Sequence, residues 1–276
     1  MEESKVRKMV REGYARVAKN DGANCCSSTS CGCNTVDMSE EISKRIGYSE
    51  EEIKSVPEGA NLGLGCGNPV ALASLQEGET VLDLGSGAGF DCFLAASKVG
   101  KTGKVIGVDM TPEMIDKARE NTRRGKRGNV EFRLGEIENL PMADSTVDIV
   151  ISNCVINLSP NKKRVFEEAF RVLKPNGRLM VSDIVLLKEL PPRIKKNVQA
   201  YIGCLSGAEM KDRYLKMIEN AGFKRVQIVE ENCFPVEDMA NDPTAQAVVK
   251  SSGISVNKIN EIAKSVASIK VSAVKA

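Results

Sequence analysis

Between residues 78 and 186 the chain repeats one alternation, a short apolar run closed by a turn and then an amphipathic stretch, and that rhythm leaves few folds open. "TVLDLGSGAG" reads as a strand ending in a glycine turn, and "FDCFLAASKVG" as a helix closed by Gly100. "GKVIGVDMT" is a second strand and "PEMIDKARENTRR" its helix, with Pro112 in the first turn. "NVEFRLGEIENLP" and "TVDIVISNCVINL" supply a third and a fourth strand. "NKKRVFEEAFRVLKPNG" is a helix that Pro175 and Gly177 should end, and "RLMVSDIVL" is a fifth strand. Apolar strands separated by helices pair in parallel and need cover on both faces. The expected class is α/β, an open, mostly parallel sheet with helices on either side.

The flanks carry a different pattern. In "MEESKVRKMVREGYARVAKN", Val6, Met9, Val10, Tyr14 and Val17 recur at three- and four-residue steps, which predicts a helix covering another surface. Residues 20–40 read as loop, and "SEEISKRIGYSEEEIKSV" as a short charged helix with Ser39 as its cap. "PEGANLGLGCGNPVALASL" is a glycine-rich loop with Cys66 at its tightest point. Beyond Pro191 and Pro192, helical segments around 193–221 lead to strands at "FKRVQIVEE" and "SIKVSAVK". The organisation this predicts has three parts: N-terminal helices and loop over 1–75, a core over 76–190, and a C-terminal part over 191–276 with a helical segment and the last two strands.

Several function classes drop out on composition. Basic and acidic residues nearly balance, 39 against 37, so there is no footprint for nucleic acid or an anionic membrane surface. No apolar run approaches the roughly 20 residues that span a bilayer. The chain has no histidine and no tryptophan, which removes imidazole as base, relay or metal ligand. The first helix has neither a signal peptide's apolar run nor a transit peptide's lack of acid, so a reducing cytoplasm is the expected location. The nine cysteines are then expected to be mostly thiols.

In "DLGSGAG", Gly85, Gly87 and Gly89 follow a strand and precede a helix, where glycines let backbone approach a ligand closely. Asp109 ends the second strand, placed to accept from ribose hydroxyls. The spacing is G-x-G-x-G rather than the G-x-G-x-x-G of nicotinamide and flavin proteins. With "GVDMTPEMIDKAREN", "GEIENLPM" and "RVLKPNGRLMVSD" following in order, the sequence resembles the class I S-adenosylmethionine-dependent methyltransferases, with their Rossmann-like sheet. That resemblance implies that Asp83, Gly85, Gly87 and Gly89 line the methionine part of S-adenosylmethionine. It further implies that Asp109 holds the ribose, Met110 packs beside the adenine, and Glu136 and Ile137 meet the adenine edge and face. Asn153, ending strand four, completes the cofactor set. Met110 as plain core and Glu136 as a solvated acid are the plainer alternatives.

Where an acceptor should sit there are cysteines: Cys154 after strand four, Cys204 in "YIGCLSGAEM", and Cys66 in "LGLGCGNP". Cys92 and Cys233 read as small apolar side chains. "LGLGCGNP", "SNCVINLSP" and "YIGCLSGA" together resemble the arsenite methyltransferases, whose three cysteine thiolates bind trivalent arsenic. The implied substrate is arsenite or methylated arsenite on Cys66, Cys154 and Cys204. Soft arsenic suits thiolate ligands, and an attacking lone pair carries no proton, so no general base is needed. Methylation oxidises the arsenic, so the resemblance also implies a thiol–disulfide relay fed by a glutathione-like or thioredoxin-like reductant. Cys25, Cys26, Cys31 and Cys33, in "CCSSTSCGC", are the pool for that relay, with a zinc site as the alternative. Two other functions stay open on sequence: a methyltransferase for a small organic acceptor such as a quinone precursor, and a non-catalytic metalloid- or zinc-binding protein.

Overall fold

The computed structural model describes residues 2–19, 35–191, 207–233 and 264–276. Five strands run parallel through the middle of one sheet: β1 (Thr80–Leu84), β2 (Lys104–Asp109), β3 (Val130–Leu134), β4 (Val147–Asn153) and β5 (Leu173–Leu186). A two-residue β6 (Glu209–Met210) adds to β5 in parallel. Antiparallel β8 (Val266–Val274) lies between β5 and β7 (Lys224–Cys233), giving the order β3-β2-β1-β4-β5-β8-β7. The order reverses at β1, so the crevice where ligands bind in such sheets opens at the carboxyl ends of β1 and β4.

Alternation along the strands builds two cores. Leu82 and Leu84 of β1 face a layer that includes Phe166 of α7 (Lys162–Val172) and Tyr214 of α8 (Lys211–Asn220). Val81, on the opposite face, packs with Phe93 of α5 (Phe90–Val99) and Ile115 of α6 (Pro112–Gly125). A strand buried on both sides must be apolar throughout, which is why β1 and β4 read as continuous apolar runs. A mostly parallel sheet with helices on both faces is the architecture the sequence predicts.

Two details differ from the expectation. The charged helix is two helices, α2 (Thr35–Arg45) and α3 (Glu50–Ser55), separated at Gly47, whose φ is +105°. Ser39 lies inside α2. The cap is Ser49, which forms a capping box with Glu52, and Glu52 at the third helical position is the signal that marks it. Second, α7 ends at Val172 and β5 starts at Leu173, before Pro175 and Gly177. Leu173 is fully buried and pairs with Val147, and the next pair is Arg178 with Ile149. "PNG" is therefore the irregularity that bends β5, a place where proline's missing N–H costs no ladder bond. Within the helical stretch expected at 193–221, α8 is the helix described, and residues 192–206 lie outside the described set.

α1 (Glu3–Lys19) lies across the carboxyl edge of the sheet. Val6 and Val10 are buried in a small third core with Cys66, Leu158 and Ile184, and Met110, Cys154 and Val155 pack against it. The surface this helix covers is the rim of the crevice.

Candidate active site

The glycine turn is shaped by backbone alone. Gly85 and Ser86 donate their N–H groups to Val108 O at 2.8 and 3.0 Å, tying the turn to β2. Gly85 sits at φ +69°, and a Cβ there would lie 2.3 Å from Val155 Cγ2, so no larger residue fits. Gly87, at φ +50°, would bring a Cβ into ordinary contact with Met114 Sδ at 4.0 Å, and its N–H donates to Asp109 Oδ2 at 3.0 Å. Asp109 Oδ1 accepts from Thr111 N at 2.8 Å. Met110 N and the Thr111 side chain also interact with this carboxylate, which is thereby fixed at the end of β2 beside the glycine turn. The Ser86 hydroxyl, buried in the same turn, has no protein partner among the described residues. This cradle fits a nucleoside with a small charged tail.

Below the turn sit two buried acids. Asp83 Oδ2 accepts from Cys92 Sγ at 3.2 Å, and Asp91 accepts from Tyr48 Oη at 2.6 Å and from Asn153 Nδ2 at 3.0 Å. Burial pushes the Asp83 carboxyl well above the usual carboxylate range, and repulsion from Asp91 pushes the same way. Burial also raises Asp91, against the two hydrogen bonds it accepts. Two desolvated carboxyl groups beside an open turn favour a cationic ligand, and S-adenosylmethionine carries an ammonium and a sulfonium.

Asn153 organises the other half of the site. Its amide oxygen accepts from Cys66 N at 3.0 Å. Its nitrogen lies 2.8 Å from Gly67 O, 2.9 Å from Tyr48 Oη and 3.0 Å from Asp91 Oδ2, three acceptors for two protons. The side chain therefore straps the glycine-rich loop to the end of β4. Ser268 Oγ of β8 holds the same loop by donating to Cys66 O at 2.7 Å. Immediately after Asn153, Cys154 takes a left-handed conformation, φ +58°, and its N–H donates to Ser182 O at 2.8 Å. Cys66 is buried, Cys154 is half-buried, and neither is in a disulfide. Their sulfurs and a carboxylate oxygen of Asp183 all lie within 4.8 Å of one another.

Asp183 was not among the residues the sequence singles out. It is fully buried, held by Asn157 Nδ2 at 2.8 Å, Ile184 N at 2.9 Å and Tyr214 Oη at 2.9 Å, and burial pushes its carboxyl up to about 7. An acid inside the apolar run of β5 was the available signal, since an unpaired carboxylate has no place in a sheet interior. Tyr48 and Asp91 were missed for a related reason: they meet only in three dimensions.

Past the end of β3, Glu136 pairs with Arg7 at 3.3 Å and Arg11 at 3.8 Å, both from α1. Ile137 is buried in the core beneath it, and Met110 packs against the apolar face of α1. Cys92 is fully buried, and burial pushes its thiol up. Asp83, Gly85, Gly87, Asp109, Met110, Glu136, Ile137 and Asn153 all lie at or just past the carboxyl ends of β1 to β4, as do Cys154 and the loop of Cys66, while Gly89 packs against Phe132 and Phe93. Cys204 and the cysteines at 25, 26, 31 and 33 lie outside the described residues. Among the described residues no helix is long and apolar enough to cross a membrane.

A parallel sheet of this order, with a glycine turn after β1 and an acid ending β2, defines a class I S-adenosylmethionine-dependent methyltransferase. Residues 75–222 match the methyltransferase domain family. The chain is 50% identical over 232 residues to an arsenite methyltransferase of Halobacterium salinarum, covering 82% of this chain and 59% of that one. It is 33% identical over 248 residues to the human arsenite methyltransferase, covering 86% and 63%. The crystal structure of an arsenic(III) S-adenosylmethionine methyltransferase from Chlamydomonas reinhardtii superposes with a TM-score of 0.61 at 31% identity, covering 85% of this chain and 73% of that one. The chain belongs to the arsenite methyltransferase family. It spans about three-fifths of the length of the curated relatives it matches.

Proposed function

We propose that this protein methylates trivalent arsenic, with S-adenosylmethionine as methyl donor and Cys66, Cys154 and Cys204 as the arsenic ligands. The observation that carries the reading is the approach of the Cys66 and Cys154 sulfurs, from chain segments far apart in sequence, beside the cofactor crevice. Family membership supports the same chemistry. When bound, the cofactor supplies an electrophilic methyl group on a sulfonium.

The chain's own residues then do three things. Asp83 and Asp109 hold the two ends of the cofactor, the amino acid and the ribose, while Gly85, Gly87 and Gly89 let the backbone close in on it. Met110, Glu136 and Ile137 border the adenine. Asn153 fixes the loop of Cys66 against Cys154, so that two thiols are set before arsenite arrives. The arsenic lone pair needs no proton removed, so orientation and exclusion of water carry the rate. Asp83 and Asp91 favour the cationic donor electrostatically, and α1, with Val6 and Val10 over Met110 and the thiols, excludes water.

Methyl transfer to the lone pair takes arsenic from the trivalent to the pentavalent state. Return to the trivalent state needs two electrons, which two thiols supply by closing one disulfide and releasing two protons. We assign the reopening of that disulfide to Cys25, Cys26, Cys31 and Cys33 and a glutathione-like or thioredoxin-like reductant. The proposed division of labour is a metalloid-binding loop within 1–75, a cofactor core over 76–190, and an acceptor-site segment and last strands within 191–276.

The test is release of S-adenosylhomocysteine from protein incubated with S-adenosylmethionine, arsenite and thiol, with methylated arsenic identified by mass. No arsenite-dependent release would end the proposal. Cys154→Ser and Cys204→Ser should lose turnover and keep cofactor binding. Turnover retained in either would remove the three-thiolate site.

A further inference from the structure

A second ligand class fits the site that holds Cys66 and Cys154. Trivalent arsenic is satisfied by sulfur alone, yet the acid within 4.8 Å of both sulfurs is a carboxylate, built in with care. Asp183 Oδ1 accepts two hydrogen bonds, from Asn157 Nδ2 and Ile184 N, and Oδ2 accepts one, from Tyr214 Oη. A carboxylate has about four acceptor directions, so one remains on Oδ2. Partners of this kind are what orient a ligating carboxylate in metal sites.

We propose that Cys66, Cys154 and Asp183 bind a thiophilic divalent cation such as zinc or cadmium, in competition with arsenite for the same two thiols. Two sulfurs and one oxygen, completed by a water as fourth ligand, is a donor set zinc accepts. Bonds of about 2.3 Å to sulfur in a tetrahedron put donor atoms about 3.8 Å apart. The 4.8 Å spread closes to that with movements of about 1 Å. Cys66 lies on a loop, so movement there displaces no strand.

Binding converts two thiols to thiolates and releases two protons to solvent, with no change of oxidation state. The carboxylate sorts the two ligand classes. A borderline divalent ion gains from an oxygen ligand, whereas arsenic gains more from a third sulfur. The cation site therefore uses Asp183 and not Cys204, while the arsenic site uses Cys204 and not Asp183. The competition with arsenite rests on the proposed arsenic chemistry; the cation site itself does not.

The experiment uses full-length protein with Cys25, Cys26, Cys31, Cys33 and Cys233 replaced by serine, titrated with cadmium. Sulfur-to-cadmium charge-transfer absorption counts the thiolates per ion, and competition with a chromogenic chelator gives the affinity. One ion with two thiolates is expected, unchanged by Cys204→Ser, while the same variant loses arsenite binding. Asp183→Asn should weaken cadmium binding about tenfold or more, and Tyr214→Phe, which keeps the ligand, should weaken it less. Three thiolates falling to two in Cys204→Ser would overturn the proposal by placing the cation on the arsenic ligands. Wild-type affinity in folded Asp183→Asn, or no cadmium bound at all, would overturn it as well. If Asp183→Asn does not fold, the thiolate count in Cys204→Ser decides alone.

Discussion

The backbone N–H of Cys66 donates to the side-chain oxygen of Asn153 at 3.0 Å, so the residue before one thiol holds the main chain of the other. The two thiols are thereby brought together by hydrogen bonds to the loop of Cys66, with Ser268 as its second anchor, rather than by a disulfide. Truncation in Asn153→Ala leaves the Cys66 N–H and Gly67 O without their partner. It should cost about 1–3 kcal/mol in denaturant unfolding. A bivalent arsenical should also bind the variant more weakly, because the loop is released. Unchanged arsenical affinity with lowered stability would limit Asn153 to a structural role.

Cys154 occupies a conformation that glycine tolerates best, φ +58°. Cys154→Gly should therefore be more stable than Cys154→Ala by about 1 kcal/mol, although it removes the same sulfur and one more carbon. Thermal midpoints of the two variants check this ordering. The reverse order would mean that packing of the side chain outweighs the backbone strain.

Gly67 is required for space and not for conformation. A Cβ built there lies 2.1 Å from Ser182 Oγ and 3.0 Å from Lys270 Cε, the latter on a flexible chain. Gly67→Ala should destabilise by about 1–3 kcal/mol, and adding Ser182→Ala should recover much of that loss. Additive losses in the double variant would place the strain elsewhere.

Buried acids give this protein an unusual pH response. Burial pushes Asp91 up to about 6, above the roughly 3.9 of an unfolded aspartate. Between those values the folded state holds a proton that the unfolded chain lacks. This group therefore makes stability fall as pH rises through that window, and its effect is complete above it. The loss amounts to about 2–3 kcal/mol, and Asp83 and Asp183, raised by burial too, act in the same sense. Unfolding free energies from pH 4 to 7 should flatten in Asp91→Asn relative to wild type. A steeper slope in the variant would reverse the assignment.

Local patterns carried the sheet. β1, β4 and the glycine turn are legible because a doubly buried strand must be apolar and because the turn admits only glycine at Gly85. Helix ends were legible where a cap is local, as at Pro112, and misread at Pro175, where burial of Leu173 outweighed proline's usual meaning. Cys66 and Cys154 stand out as thiols in loop contexts. Asp183, Tyr48 and Asp91 were not legible as site residues, because each gains its meaning from partners far along the chain. α1 reads as a helix from its spacing, but its partners, Glu136 and also Glu138, which meets Arg7 at 3.4 Å, are set by where β3 ends.

The hydrogen bond from Ser268 to Cys66 O joins residues 202 positions apart and has a consequence for synthesis. Contacts of such separation form late, since the intervening chain must close first. On the ribosome, a nascent chain completes β1 to β5 well before β8 exists, and until then the loop of Cys66 lacks one of its two anchors. The thiol pair is thus assembled last. Newly made chains would therefore fold the glycine turn and the acid ending β2 before Cys66 and Cys154 are held together.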